Sequence, residues 1–214
     1  MDPKSVGRAM EEALDGKRLL THPFYRRWEA GDLAASELKS YAEQYRYFEI
    51  TFPEILRRIL GQLPEGDARS FVEQNLADEV GNPSHVDLFE TFVDAVNARR
   101  SELPSPAMTQ LLNSYGAALE QGPASSIGAL VAYECQASEV ALSKAKGLRD
   151  HYGLGPTETV FWDVHAQLDV SHAEWATRAL ADTASGSAEF QPAIRRVAQA
   201  WWEFLDEREE LAAA

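Results

Sequence analysis

Apolar residues recur three and four positions apart in one segment after another, the spacing that places them on a single face of a helix. The clearest run is Leu38, Tyr41, Tyr45, Phe48, Phe52, Ile55 and Ile59, which predicts a long helix from Ser36, kinked at Pro53 and closed by Gly61 and Pro64. Residues 4–15 predict a short amphipathic helix before it, and residues 21–28 a short helical turn ended by Gly31 and Asp32. Further helices are expected over 67–80, over 106–119 and over 124–152, with another opening at Asn82 as N-cap and Pro83 as first residue. A helix follows Pro156 and ends near Ala184, and a last one from about Ala188 carries Ile194, Val197, Trp201 and Phe204. No segment alternates strictly enough for a strand. The pattern predicts an all-α chain.

Ionisable residues interrupt these apolar seams. His165, Asp169 and His172 stand at i, i+4 and i+7, so on a helix they share a face with Phe161, Leu168, Trp175 and Ala179. Glu79 falls on the line of Val72 and Leu76, and His85 on that of Leu88, Phe92 and Val96. Glu134 and Lys144 break the seam of Ile127, Leu130, Ala137, Ala141 and Leu148. Those two are about 15 Å apart along a helix axis, too far for contact. Buried ionisable groups are costly unless something compensates them. Three carboxylates and three imidazoles make a mixed oxygen–nitrogen ligand set suited to two ions of iron or manganese, with about one positive charge left for a bound anion. The plainer alternative is a His–Asp hydrogen bond in a helical core, with Glu79 on an exposed last turn and His85 as a core histidine.

Composition narrows the setting. The 214 residues suffice for one domain with a substantial core. With 34 acidic against 20 basic residues the net charge is −14, which disfavours nucleic acid and anionic membranes. No apolar run approaches the roughly 20 residues that span a bilayer. No apolar signal region follows Met1-Asp2-Pro3-Lys4, and the one cysteine, Cys135, excludes an internal disulfide; a cytoplasmic protein is expected. A homodimer is compatible with the sequence.

Several short motifs carry a resemblance. His22-Pro23-Phe24-Tyr25, Gly31-Asp32-Leu33, Ala77-Asp78-Glu79-Val80-Gly81, His85-Val86-Asp87-Leu88, Tyr133-Glu134 and the His-x3-Asp-x2-His pattern at 165–172 resemble the haem-oxygenase-like diiron oxidases over about residues 20–180. That group is distinct from its relatives on the same fold, the thiaminase-type enzymes with a nucleophilic cysteine and the metal-free pyrroloquinoline-quinone synthases. The resemblance implies a single-domain seven-helix bundle. It also implies a diiron or manganese–iron centre at Glu79, His85, Glu134, His165, Asp169 and His172, served by dioxygen and an external reductant. Within the group the chain is similar to chlamydial-type 4-aminobenzoate synthases, which sacrifice one of their own tyrosines and draw the amine from a core lysine. The matching positions are Tyr25 and Lys144, with Tyr133 as a second tyrosine near the metals. The chain departs from that pattern at Phe161, where the subgroup has a tyrosine.

Three functions follow. The first is a dimetal oxygenase making 4-aminobenzoate from its own side chains for folate synthesis. The second is a diiron oxidase, N-oxygenase or carbon–carbon lyase acting on a free amino-acid-like molecule. The third is a metal-free helical binding protein. Tyr25 with Lys144 favours the first and Phe161 the second.

Overall fold

The chain is helical where its apolar residues keep the three-four spacing. The computed structural model describes residues 1–168 and 172–213, with side chains throughout except at 168, 172–174, 212 and 213. The described residues form α1 (Pro3–Leu14), α2 (Pro23–Ala30), α3 (Ala35–Leu60), α4 (Asp67–Glu79), α5 (His85–Ala95), α6 (Pro106–Leu119), α7 (Pro123–His151), α8 (Val160–Leu168), α9 (His172–Thr183) and α10 (Gln191–Ala213). Short 3-10 turns at Leu19–Thr21 and Ser187–Glu189 precede α2 and α10, and no described residue is in a strand. The chain therefore has the expected all-α bundle with more segments than the seven implied. The excess arises because short helices such as α1 and α2 are separate elements, and because the stretch around Asp169 is described as α8 and α9 on either side of residues 169–171.

Three local expectations need correction. The helix after Gly81 begins at His85, not Pro83: the Ser84 hydroxyl accepts from the Asp87 N–H at 3.1 Å while Asp87 Oδ2 accepts from the Ser84 N–H at 3.1 Å, and this reciprocal cap outcompetes Asn82. The helix after Pro156 begins at Val160, preceded by buried Thr159, whose hydroxyl donates to Asp163 Oδ2 at 3.2 Å. Trp175 is 38% exposed and not in the core, with the Arg178 guanidinium 5.7 Å from its ring centre. Helix α3 runs through Pro53 without ending.

The longest helix, α7, is buried on almost all sides and packs on α2, α6, α8, α9 and α10. It has small residues where neighbours come close. A Cβ on Gly147 would lie 2.8 Å from Trp28 Cδ1 and 3.0 Å from the Trp28 carbonyl oxygen, so α2 rests directly on α7 at this point. The Trp28 indole N–H donates to the Lys144 carbonyl at 3.2 Å, locking the same contact. Across the bundle, α3 packs on α4, α5 and α6. Trp201, Phe204, Ile194 and Val197 of α10 complete the core as the spacing predicts. Among the described residues no helix is long and apolar enough to cross a membrane.

Helix α2, which carries Tyr25, is tied down at both ends. Gly31 ends it in the left-handed conformation (φ 77°), with its N–H on the Arg27 and Trp28 carbonyls. At the start, His22 Nδ1 accepts from the Phe24 N–H at 3.1 Å, so the ring proton is on Nε2, which donates to Asp206 at 3.1 Å. Burial lowers the proton affinity of His22, and Asp206 only partly opposes it. The unfolded chain therefore takes up this proton first as pH falls below about 6.5, and the stability contributed by neutral His22 is lost from there downward. Wild type should lose more stability between about pH 6.5 and 5 than His22→Asn, which keeps a capping side chain without the titration. Denaturant midpoints across that range are the measurement, and parallel profiles would refute the contribution of His22 titration to stability.

Candidate metal centre

Helix ends bring three ligand-type side chains together. Glu79 is the last residue of α4, His85 the first of α5, and His165 projects from α8. Glu79 Oε1 is 3.0 Å from His85 Nδ1 and 3.9 Å from His165 Nε2, and the two imidazole centroids are 4.4 Å apart. One ligand atom from each falls within 4.8 Å of the others. Glu79 and His85 are buried, so neither the exposed-turn alternative nor simple solvation accounts for them.

The electrostatics suit a cation. Burial raises the Glu79 carboxyl above its ordinary range, the nearby Glu134 charge adds to this, and His85 opposes it. Glu79 Oε2 is buried without a hydrogen-bond partner among the described residues. His165 Nδ1 lies 2.8 Å from the Phe161 carbonyl, which can only accept; the proton is on Nδ1 and Nε2 presents its lone pair toward Glu79. Two imidazoles and a carboxylate are a donor set that suits iron or manganese. The residues present fit such a metal.

The other expected ligands divide. Glu134 on α7 is buried and its charge acts on Glu79, though its oxygen is not within the three-atom cluster. Asp169, and the side chain of His172, lie outside the described residues. Tyr133, next to Glu134, has its hydroxyl 2.8 Å from that of Tyr45 on α3 and its ring stacked on Trp201 at 4.7 Å.

Tyr25 and Lys144 lie close together in the core. Both are 1% exposed. Lys144 Nζ donates to the Tyr41 hydroxyl at 2.6 Å, and Tyr41 shares a 3.0 Å hydrogen bond with the Tyr25 hydroxyl. Around Nζ stand the rings of Trp162, Tyr25, Tyr45 and Tyr41, with centroids at 4.2, 4.8, 4.8 and 5.0 Å. Burial drives the Lys144 amine well below its ordinary pKa, with only the charge on Glu49 opposing. Burial also raises the Tyr25 phenol, so it stays protonated. Cys135 is no nucleophile: burial pushes its thiol up to about 12.

Sequence reasoning missed Tyr41 and Tyr45 as polar participants and Glu49 altogether. All three lie at i, i+4 and i+8 on α3, a shared line that becomes visible as a polar row only once the helix is packed.

Comparison with known proteins agrees with the donor set. The family described as iron-containing redox enzymes matches residues 39–206. This chain belongs to that haem-oxygenase-like family. Relatives named 4-aminobenzoate synthase include one from Chlamydia muridarum, 32% identical over 92% of this chain and 87% of its own length. Another, from Nitrosomonas europaea, is 33% identical over 96% and 92%. Among solved structures, a TenA homologue from Pseudomonas syringae superposes with TM-score 0.82 at 15% identity, over 98% of this chain and 96% of that one. A CadD-like protein of unknown function from Nostoc punctiforme does so with TM-score 0.78 at 14% identity, over 99% of each. In this family member burial disfavours the Cys135 thiolate and aromatic rings surround the Lys144 amine, so the candidate metal centre and the Lys144 pocket are the chemically distinctive parts.

The lysine's burial is a cost to folding, not a support for it. Lys144→Met fills the cage with an apolar chain of similar length and leaves Tyr41 bonded to Tyr25. Stability should rise by about 1–3 kcal/mol. A melting temperature equal to or below wild type would show that the amine supports the fold.

Proposed function

We propose that the chain is a non-haem dimetal oxygenase that forms 4-aminobenzoate from its own Tyr25, with Lys144 as amine donor, for folate synthesis. Its metal ligands in this reading are Glu79, His85, Glu134, His165, Asp169 and His172. Two iron ions, or one manganese and one iron, supply the oxidising power there with dioxygen and an external reductant. The observation that carries the reading is the placement of Lys144 Nζ 4.8 Å from the Tyr25 ring centre, both side chains being bonded to the Tyr41 hydroxyl. The names of the relatives support the same product.

The chain's own residues divide the work. The aromatic cage excludes water from Lys144 and favours its neutral form, the form of an amine that can attack carbon. Tyr41 orients amine and phenol together. Tyr133 and Tyr45 link the Glu134 end to the same group of rings through their 2.8 Å hydroxyl contact and the 5.2 Å stack of Tyr45 on Tyr41. Holding both reactants in place can be worth about 7–11 kcal/mol of barrier. The second reading, an oxidase of a free amino-acid-like molecule, is favoured by Phe161, which has no phenol and packs 4.2 Å from the His165 ring.

Product yield separates the two. With ferrous iron, reductant and air, 4-aminobenzoate should plateau at or below one per chain, with a matching mass loss in the protein. Tyr25→Phe and Lys144→Arg should bind metal and release none. Continued turnover on an added substrate, or product from Tyr25→Phe, would establish the second reading instead.

Metal content tests the ligand set separately. Anaerobically loaded protein should hold close to two ions per chain, and Glu134→Ala or Asp169→Ala should lose at least one while remaining helical. Full occupancy in both variants would remove these residues from the centre.

A further inference from the structure

Glu49 is 2% exposed in the middle of α3, and its Oε2 has no hydrogen-bond partner among the described residues. No ion pair within 4.0 Å joins it to Lys144 or to any other described cation. A buried carboxylate left in this state is costly, and nearby like charges make it more so.

The register of the helices shows what it faces. Helices α3 and α5 run antiparallel: Tyr45 packs 5.3 Å from Phe89, while Asn97, Ala98 and Arg99 beyond the end of α5 share a groove with Ser36, Lys39, Ser40 and Glu43 near the start of α3. Glu49 is one turn on from Tyr45, and His85 is one turn back from Phe89. That brings Glu49 to the level of His85, whose Nδ1 is 3.0 Å from Glu79. Burial, then the charge of Glu79 and more weakly that of Glu134, hold the Glu49 carboxyl well above its ordinary range, with a hydrogen bond from Tyr45 and the charge of Lys144 opposing; all three carboxylates therefore act in one region of the core. The charge on Glu49 also reaches Lys144.

We propose that Glu49 is a further carboxylate ligand of the metal centre, approaching a divalent iron or manganese ion from α3. The inference rests on the metal-centre reading above. In that reading Glu79, Glu134 and Asp169 offset three of the four charges that two divalent cations bring, and Glu49 offsets the fourth without drawing on Lys144. The amine then needs no carboxylate partner and stays neutral. The row Tyr41, Tyr45 and Glu49 on one face of α3 joins the amine pocket to the metal.

The test is an anaerobic titration with Fe(II) or Mn(II), following bound metal and melting temperature. Glu49→Gln keeps the shape and removes the charge. Loss of an outer-shell partner weakens metal binding by about 10–100-fold, and a direct ligand should cost at least as much at one site or more. Metal-free Glu49→Gln should melt above metal-free wild type, because a like charge has left the core. Unchanged affinity and stoichiometry in Glu49→Gln would overturn the proposal. Glu79→Gln, which should lose metal whatever Glu49 does, is the control. If wild type itself binds no Fe(II) or Mn(II), the centre is wrong and not merely its fourth carboxylate. Should Glu49→Gln fail to fold, Glu49→Asp retracts the same charge by one methylene, and undiminished binding there would equally overturn it.

Discussion

Glu134 and Lys144 share helix α7, and at 1.5 Å per residue they are held about 15 Å apart along its axis. That fixed spacing sets the two ends of the interior chemistry, and the other helices are packed to serve one end or the other. Helices α4, α5 and α8 bring Glu79, His85 and His165 together at one end. Helix α2 brings Tyr25 to Lys144 at the other, seated on Gly147 through Trp28. Helix α3 runs between them with Tyr41, Tyr45 and Glu49 on one side. A wider side chain at residue 147 would part α2 from α7, so the placement of Tyr25 depends on a hydrogen atom about 20 Å along α7 from Glu134.

Both ends place polar groups where burial penalises them, but the penalty is met differently. At the carboxylate end, negative charges accumulate without enough donors to satisfy them: Glu79 and Glu49 each keep a buried oxygen with no hydrogen-bond partner among the described residues. A cation resolves that deficit directly. At the amine end the deficit is removed by losing the charge. Four aromatic faces attract an ammonium, but they and one hydroxyl do not replace the water it loses on burial, and without a close carboxylate the neutral amine is favoured. One core therefore holds a site that wants positive charge beside a site that rejects it.

Much of this was legible because the ionisable residues broke a regular pattern. Glu134 and Lys144 stood out in the α7 seam, and Glu79 and His85 fell on apolar lines; all four are buried as that reasoning required. Glu49 escaped for a physical reason. The apolar stripe of α3 is broad, with Phe48 and Phe52 beside Tyr41 and Tyr45, so a charge one step from Phe48 reads as the solvent edge of the stripe. Only the tertiary packing of α4 and α5 over that edge buries it. Tyr41 was read as core, which it is, but periodicity carries no information on where a hydroxyl points. The cap at Ser84 was missed because Asn82 and Pro83 offered a competing start, and only the reciprocal bonds with Asp87 decide between them.

The departure at Phe161 takes a different meaning in three dimensions. Phe161 packs edge-on to Trp162 at 4.6 Å and beside His165, on the α8 side of the centre. The hydroxyl-bearing rings lie elsewhere: Tyr133 meets Tyr45, Tyr45 stacks on Tyr41, and Tyr41 bonds Tyr25. This run is continuous from the neighbour of Glu134 to the neighbour of Lys144, and it does not pass through position 161. Each phenol in it has another oxygen within hydrogen-bond distance, so a proton leaving one hydroxyl has a nearby acceptor. A phenol at 161 is therefore not required for a connected path between the two ends, and its absence weighs less against a reaction at Tyr25 than the sequence alone suggests. What the path does require is the tyrosine pair on α3, one turn apart, whose stacked rings join the hydroxyl pair at Tyr133 to the one at Tyr25.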